Sequence, residues 1–165
     1  MELSELSDRM EIEQVIYRYC RGIDRGDREM IRSVYHPDAR DDHGTFKGAG
    51  IEFADLIVDS MDQQTMAAQH HITNIYIELH GNRAHVESYF LAFHPTGTGS
   101  AETLARMGGR YLDLFEKREG KWLIADRKVV SDWTRTSMSG DTWNIAAHFP
   151  AGARREADLS YTMFS

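Results

Sequence analysis

The stretch AAQHHITNIYIEL, residues 67 to 79, opens on two adjacent histidines and runs into β-branched residues, so it reads as a strand with a titratable pair at its mouth. Histidine exchanges a proton near neutrality, which makes the pair a candidate site; hydrogen-bonded or surface histidines fit the same pattern. Strict alternation puts His70, Ile72, Asn74 and Tyr76 on one face and His71, Thr73, Ile75, Ile77 and Leu79 on the other. Periodicity leaves open which face is concave, and a β-bulge would move either histidine.

That strand is expected over 66 to 79, and further strands downstream over 83 to 94, 104 to 117 and 121 to 134, with turns at His80-Gly81-Asn82 and Glu119-Gly120-Lys121 and a looser connection over 94 to 100. Strands in succession joined by tight turns form an antiparallel meander. Upstream, Ile12, Ile16, Tyr19 and Ile23 recur at helical spacing and predict an amphipathic helix over 5 to 24, with Ser7 or Asp8 as its cap. Gly26 stops that helix and Asp27 starts another over 28 to 35, which His36-Pro37 ends. A short hairpin turning near Gly44 follows over 39 to 48, then a helix over 51 to 61. Helices first and a curved sheet after them make an α+β plan, with a pocket expected between the sheet and the long helix.

The chain has 165 residues, enough for one domain with one substantial core. A net charge of −7 disfavours a nucleic-acid partner, and no apolar run is long enough to span a bilayer. The acidic residues near the N-terminus read as the start of a helix rather than a secretory signal. Cys20 is the only cysteine, which fits a reducing cytoplasm and, inside a helix, reads as packing rather than as a nucleophile. His36, Asp38, Asp42 and His43 match no metal-ligand spacing, and no metal or cofactor is expected.

Three residues outside the histidine pair occupy positions that local structure does not explain. Alternation in the last strand places Arg127 with Leu123, Ala125, Val129, Ser131 and Trp133, where a charge must be paired with an acid or serve a ligand. The opposite face then carries Trp122, Ile124 and Val130. Asp24 is an anion at a helix C-terminus, against the macrodipole. Tyr19, one turn earlier on the buried stripe, needs a partner for its hydroxyl. His94, Tyr89 and Tyr111 are further candidates for the cavity wall, with core packing an equal explanation for the tyrosines.

The segments YCRGIDRGD (19 to 27), HPDA (36 to 39), QHHITN (69 to 74), GNRAHVESYFLAF (81 to 93) and GGRYLDLFEKREGKWLIADRKVVSDW (108 to 133) resemble the SnoaL-like enzymes of the nuclear transport factor 2-like superfamily. The likeness covers residues 5 to 135 and implies a cone-shaped α+β barrel: a curved antiparallel sheet wrapped round a long N-terminal helix, with two further short helices. Residues 136 to 165 then form an extension packing on the pocket or on a neighbouring subunit. The resemblance implies a cofactor-independent lyase, of dehydratase, dehydrohalogenase or deformylating type, acting on a hydrophobic, aromatic small molecule. It assigns an Asp–His pair to Asp24 and His70, with the doublet leaving His71 one residue away, and places Tyr19 and Arg127 at the leaving or oxyanion group. His71, His94, Tyr111, Tyr89 and Trp133 would contact substrate. An isomerase, or a ligand-binding or dimerisation module without turnover, are the alternatives. A homo-oligomer, trimer before dimer, is expected from the resemblance and from Trp122, Ile124 and Val130 on the back of the sheet.

Overall fold

A computed structural model describes residues 2–62, 68–96, 103–138, 153–158 and 161. Helix α1, Leu3–Arg25, buries Ile12, Val15, Ile16, Tyr19 and Ile23 along one stripe. It stops at Gly26, whose φ of 64° is the left-handed conformation that glycine adopts without a Cβ clash. Asp27 then caps α2, Arg28–Arg32, by accepting from the Met30 amide at 3.0 Å. The expected cap of α1 is different: the helix begins at Leu3, and Asp8 instead accepts from Lys117 Nζ at 2.7 Å and Trp122 Nε1 at 2.9 Å, tying the helix to the sheet.

Helix α2 ends earlier than its sequence pattern suggests because Tyr35 already belongs to a strand. β1, Tyr35–Asp42, and β2, Lys47–Ala49, form the short hairpin, and α3, Gly50–Met61, follows. The meander is β3, Gln69–His80, β4, Arg83–Thr96, β5, Thr103–Arg118, and β6, Lys121–Met138. The expected start of the first strand at 66 and 67, and most of the connection after His94, lie outside the described residues. The sheet order is β2-β1-β6-β5-β4-β3, with β1 parallel to β6 and every other pair antiparallel. The sheet is therefore mixed and unclosed, a cone rather than a fully antiparallel barrel.

Two bulges decide which side chains face the helix. In β3, Ile72 pairs with Phe90 and Ile75 with Ser88, so one extra residue lies between them and the facing set changes from His70 and Ile72 to Ile75, Ile77 and Leu79. In β6, Ile124 pairs with Phe115 and Asp126 with Leu114, which makes Ala125 the extra residue. Trp122 and Ile124 therefore join Arg127 inside, at 2%, 0% and 0% exposure. The assignment of Trp122 and Ile124 to the solvent-facing back of the sheet is overturned, and with it that support for an oligomer.

Part of the C-terminal segment is described, and it lies against the ends of α1 and α3. Arg154 donates to the Met61 and Val58 carbonyls, Arg155 Nε to the Gly26 carbonyl at 3.1 Å, and the Tyr161 hydroxyl to Asp27 at 2.6 Å. Trp143, Ile145, Phe149 and Phe164 lie outside the described residues. No described helix is long and apolar enough to cross a membrane.

Candidate active site

The last turn of α1, α3 and the concave face of the sheet enclose a cavity of about 420 Å³. Phe46, Phe53, Phe90, Tyr19 and Tyr111 supply much of its wall, and three histidines, His43, His70 and His94, open onto it. Phe90 stacks on Tyr111 with ring centroids 4.4 Å apart, and glycine at 109 leaves room for it, since a Cβ there would meet the Phe90 ring edge and the Val130 carbonyl.

Asp24 and His70 meet at two points. His70 Nδ1 donates to Asp24 Oδ1 at 2.7 Å, and the His70 backbone amide donates to Oδ2 at 3.1 Å. One carboxylate thus fixes both the ring and the strand that carries it, and with Nδ1 donating, Nε2 is left as the proton acceptor. The anion at the helix C-terminus is explained by these two donors, which offset the unfavourable macrodipole.

His94 stands edge-on to His70, with centroids 4.9 Å apart. Burial, reinforced by the neighbouring His70, pushes its pKa down to about 4, so it stays neutral at pH 7. The bulge in β3 is what turns His70 inward and leaves His71 outside, exposed, with its ring edge-on to Phe93 at 5.6 Å. His71 is thereby removed from the substrate wall.

Tyr89 and Trp133 are corrected for the same geometric reason. Tyr89 lies between buried Ser88 and Phe90, so it points to the outer face, 41% exposed, with Arg110 over its ring. Trp133, 44% exposed, pairs with Gly108 and covers that glycine from the outer face, after a further bulge at Asp132.

Arg127 does not line the cavity, and of its guanidinium nitrogens only Nη1, without a hydrogen-bond partner among the described residues, is left for the role that the resemblance implies. Its guanidinium is fully buried, bonded to Asp113 through Nε at 2.8 Å and Nη2 at 2.7 Å, and lies between the rings of Tyr19 and Tyr111 at 4.1 and 4.2 Å. It buttresses the two tyrosines from behind, the acid-paired reading that its apolar strand face allowed. Burial pushes the hydroxyls of both tyrosines well above the ordinary phenol value, so both stay protonated.

A second Asp–His pair was not anticipated. His43 Nδ1 donates to Asp41, which also accepts from the Tyr35 hydroxyl at 2.6 Å, while His43 Nε2 meets the Tyr19 hydroxyl at 3.1 Å. His43 stacks on Phe53 at 3.8 Å. Its neighbours in sequence go elsewhere: His36 to the Glu116 carbonyl, Asp38 to Arg118, Asp42 to Lys47. The available signal was Asp-x-His, which a strand places on one face; reading 39 to 48 as a bare hairpin concealed it. Cys20 is buried, and burial pushes its thiol up to about 12, in keeping with a packing role.

With the site assembled, comparison with known proteins is informative. Residues 4–128, helix α1 through the first half of β6, match the SnoaL-like domain. The chain belongs to that family. Among structures of similar fold, a candidate scytalone dehydratase from Novosphingobium aromaticivorans has a TM-score of 0.72 at 20% identity, covering 94% of this chain and 98% of the other. A type 2 hexachlorocyclohexane dehydrochlorinase, LinA, has a TM-score of 0.75 at 18% identity, covering 87% and 97%. The type 3 LinA from Novosphingobium barchaimii has 0.71 at 17%, covering 83% and 94%. At these identities the likeness establishes a shared fold. Among curated proteins, none matches the chain in sequence.

Proposed function

We propose that this SnoaL-like protein is a cofactor-independent lyase that acts on a hydrophobic, aromatic small molecule, with His70 as general base and Asp24 as its orienting partner. The observation that supports this reading is the two-point contact between Asp24 and His70 beside an aromatic-walled cavity of about 420 Å³. His70 Nε2 removes a proton from carbon next to an activating group, and Asp24 faces the imidazolium that forms. Tyr19, kept as a neutral phenol by burial, donates to the oxygen that gains charge or departs. Neutral His94 adds a hydrogen-bonding group beside the base without placing a second positive charge there.

The candidate dehydratase and the dehydrochlorinase among the structures of this fold bear the names of elimination enzymes, which supports a lyase over an isomerase. The proposed partner is a small molecule: a net charge of −7 gives no basic surface for nucleic acid. We further propose a cytoplasmic homo-oligomer, trimer before dimer, in which Leu91, Leu112 and Trp133 on the outer face of the sheet are covered. The test of the lyase reading is elimination from β-substituted aryl ketones: His70→Ala should lower turnover by about 10²-fold or more with the fold retained, the usual effect of removing a general base. Turnover that survives His70→Ala and Asp24→Asn contradicts the reading.

A further inference from the structure

The cavity contains a second buried acid–histidine chain that an elimination base alone does not require. Asp41 is 2% exposed and accepts two hydrogen bonds, from His43 Nδ1 and from the Tyr35 hydroxyl. With its Nδ1 proton so engaged, His43 has only Nε2 with which to face the cavity, and that nitrogen meets Tyr19. The stack on Phe53 fixes the ring plane. Burying a carboxylate is costly unless its bonds offset the lost hydration, and packing alone gives no reason to place one here. β1 and β3 lie toward opposite edges of the sheet, so its curvature brings two separate Asp–His pairs to one cavity.

We propose that the Asp41–His43–Tyr19 chain is a proton relay that protonates the leaving group, and that the site therefore eliminates oxygen, as water or an alcohol, rather than halide. This rests on the lyase reading above and names its leaving group. Hydroxide and alkoxide are poor leaving groups and need a proton as the bond breaks; chloride does not.

In the step, His70 Nε2 takes the proton from carbon and the C–H electron pair becomes the new C=C π bond. The C–O bond breaks with its pair on oxygen. That oxygen takes the Tyr19 hydroxyl proton, and Tyr19 takes the proton on His43 Nε2, so the phenol is neutral before and after. Burial holds the Tyr19 phenol well above its ordinary value, so it passes a proton on only if one is supplied from behind. The products are an alkene and water or an alcohol. His70 ends charged and His43 neutral, and solvent restores both between turnovers. Tyr19 touches the leaving oxygen; His43 and Asp41 act through it as positioning and supplying residues.

The experiment uses two probes that give the same enone: the β-hydroxy ketone formed from benzaldehyde and acetone, and its para-nitrophenyl ether, whose phenoxide departs without a proton. Wild type should release the enone from both. His70→Ala should lose about 10²-fold on both, because both need the carbon base. His43→Gln and Asp41→Asn should each lose about 10²-fold on the alcohol and less than about tenfold on the ether, a difference that a structural role would not produce. Equal losses on both probes, or no loss on the alcohol, overturn the relay and leave the base reading standing. Unchanged turnover in His70→Ala overturns the base reading instead. Wild type acting on the ether alone, or on neither probe, overturns the assignment of water or an alcohol, which need a proton to depart, as the leaving group. A readout independent of turnover is the side-chain nitrogen shifts of histidine in the wild-type protein at the pH of turnover: the relay requires the resting His43 to carry a proton on Nε2 as well as on Nδ1, as an imidazolium paired with Asp41, and an unprotonated Nε2 excludes it.

Discussion

Arg127 carries its charge with no exposed surface, and what keeps it there is Asp113 on one edge and two phenol rings on its faces. Asp113→Asn leaves that guanidinium buried without its counter-charge, so it should lower unfolding free energy by about 3–5 kcal/mol in a urea titration; a loss below about 1 kcal/mol contradicts the account. Replacing both residues together with Leu and Met should recover much of the loss, because neither charge is then stranded. His94 gives a prediction in pH. Its ordinary value is 6.5, and burial holds it at about 4 in the folded chain, so between those values the unfolded state binds more protons. Stability therefore falls as pH drops from 6.5 toward 4, by about 3 kcal/mol from this residue, and nothing changes above that window. His94→Gln should flatten that part of the stability curve; profiles that stay parallel through the window contradict the assignment.

The meander and α1 were legible because their signals are local: apolar residues at helical spacing, alternation, and glycine turns. What was not legible is what tertiary pairing imposes. Nothing in residues 35 to 42 announces a parallel partner in β6, so a strand was read as the end of a helix and a hairpin, and Asp41 and His43 went unseen as a pair. The bulges have no reliable sequence signature either, yet one makes His70 the inward histidine and another moves Trp122 and Ile124 from the outer face to the core. Deleting Asn74 tests the first. Without the extra residue Thr73 alone opposes Tyr89, the ladder runs unbroken, and His70 still pairs with Ala92 and faces in. The variant should fold with a circular dichroism spectrum close to wild type and keep turnover within about tenfold. A loss of about 10²-fold or more in a folded variant contradicts the geometry given to β3.

Asp24 and Tyr19 illustrate why the resemblance placed part of the site and missed part. Both lie on α1, whose register follows from its stripe, and the cavity forms where that stripe meets the sheet. Tyr89, His71 and Trp133 lie on the other side of the sheet, where alternation and bulges put them. That outer face still exposes Tyr89, Leu91, Leu112 and Trp133, an apolar band across β4, β5 and β6 that Arg110, paired with Glu87 and Asp132, interrupts. A band of this kind is commonly covered by a second copy. The protein should sediment at micromolar concentration as two or three times the chain mass, and Leu112→Lys with Trp133→Glu should shift it toward one. A wild-type protein that sediments only as a single chain contradicts the expectation.

The decisive experiment is a double-mutant cycle on Asp24 and His70, using any substrate that the wild type turns over. His70→Ala and Asp24→Asn should each lower turnover by about 10²-fold or more while leaving the unfolding transition in place. Because the carboxylate acts through the imidazole that it holds, the double variant should be no slower than the slower single variant, within a small factor. Losses that multiply in the double variant, or either single variant that retains wild-type turnover, contradict a base built from these two residues.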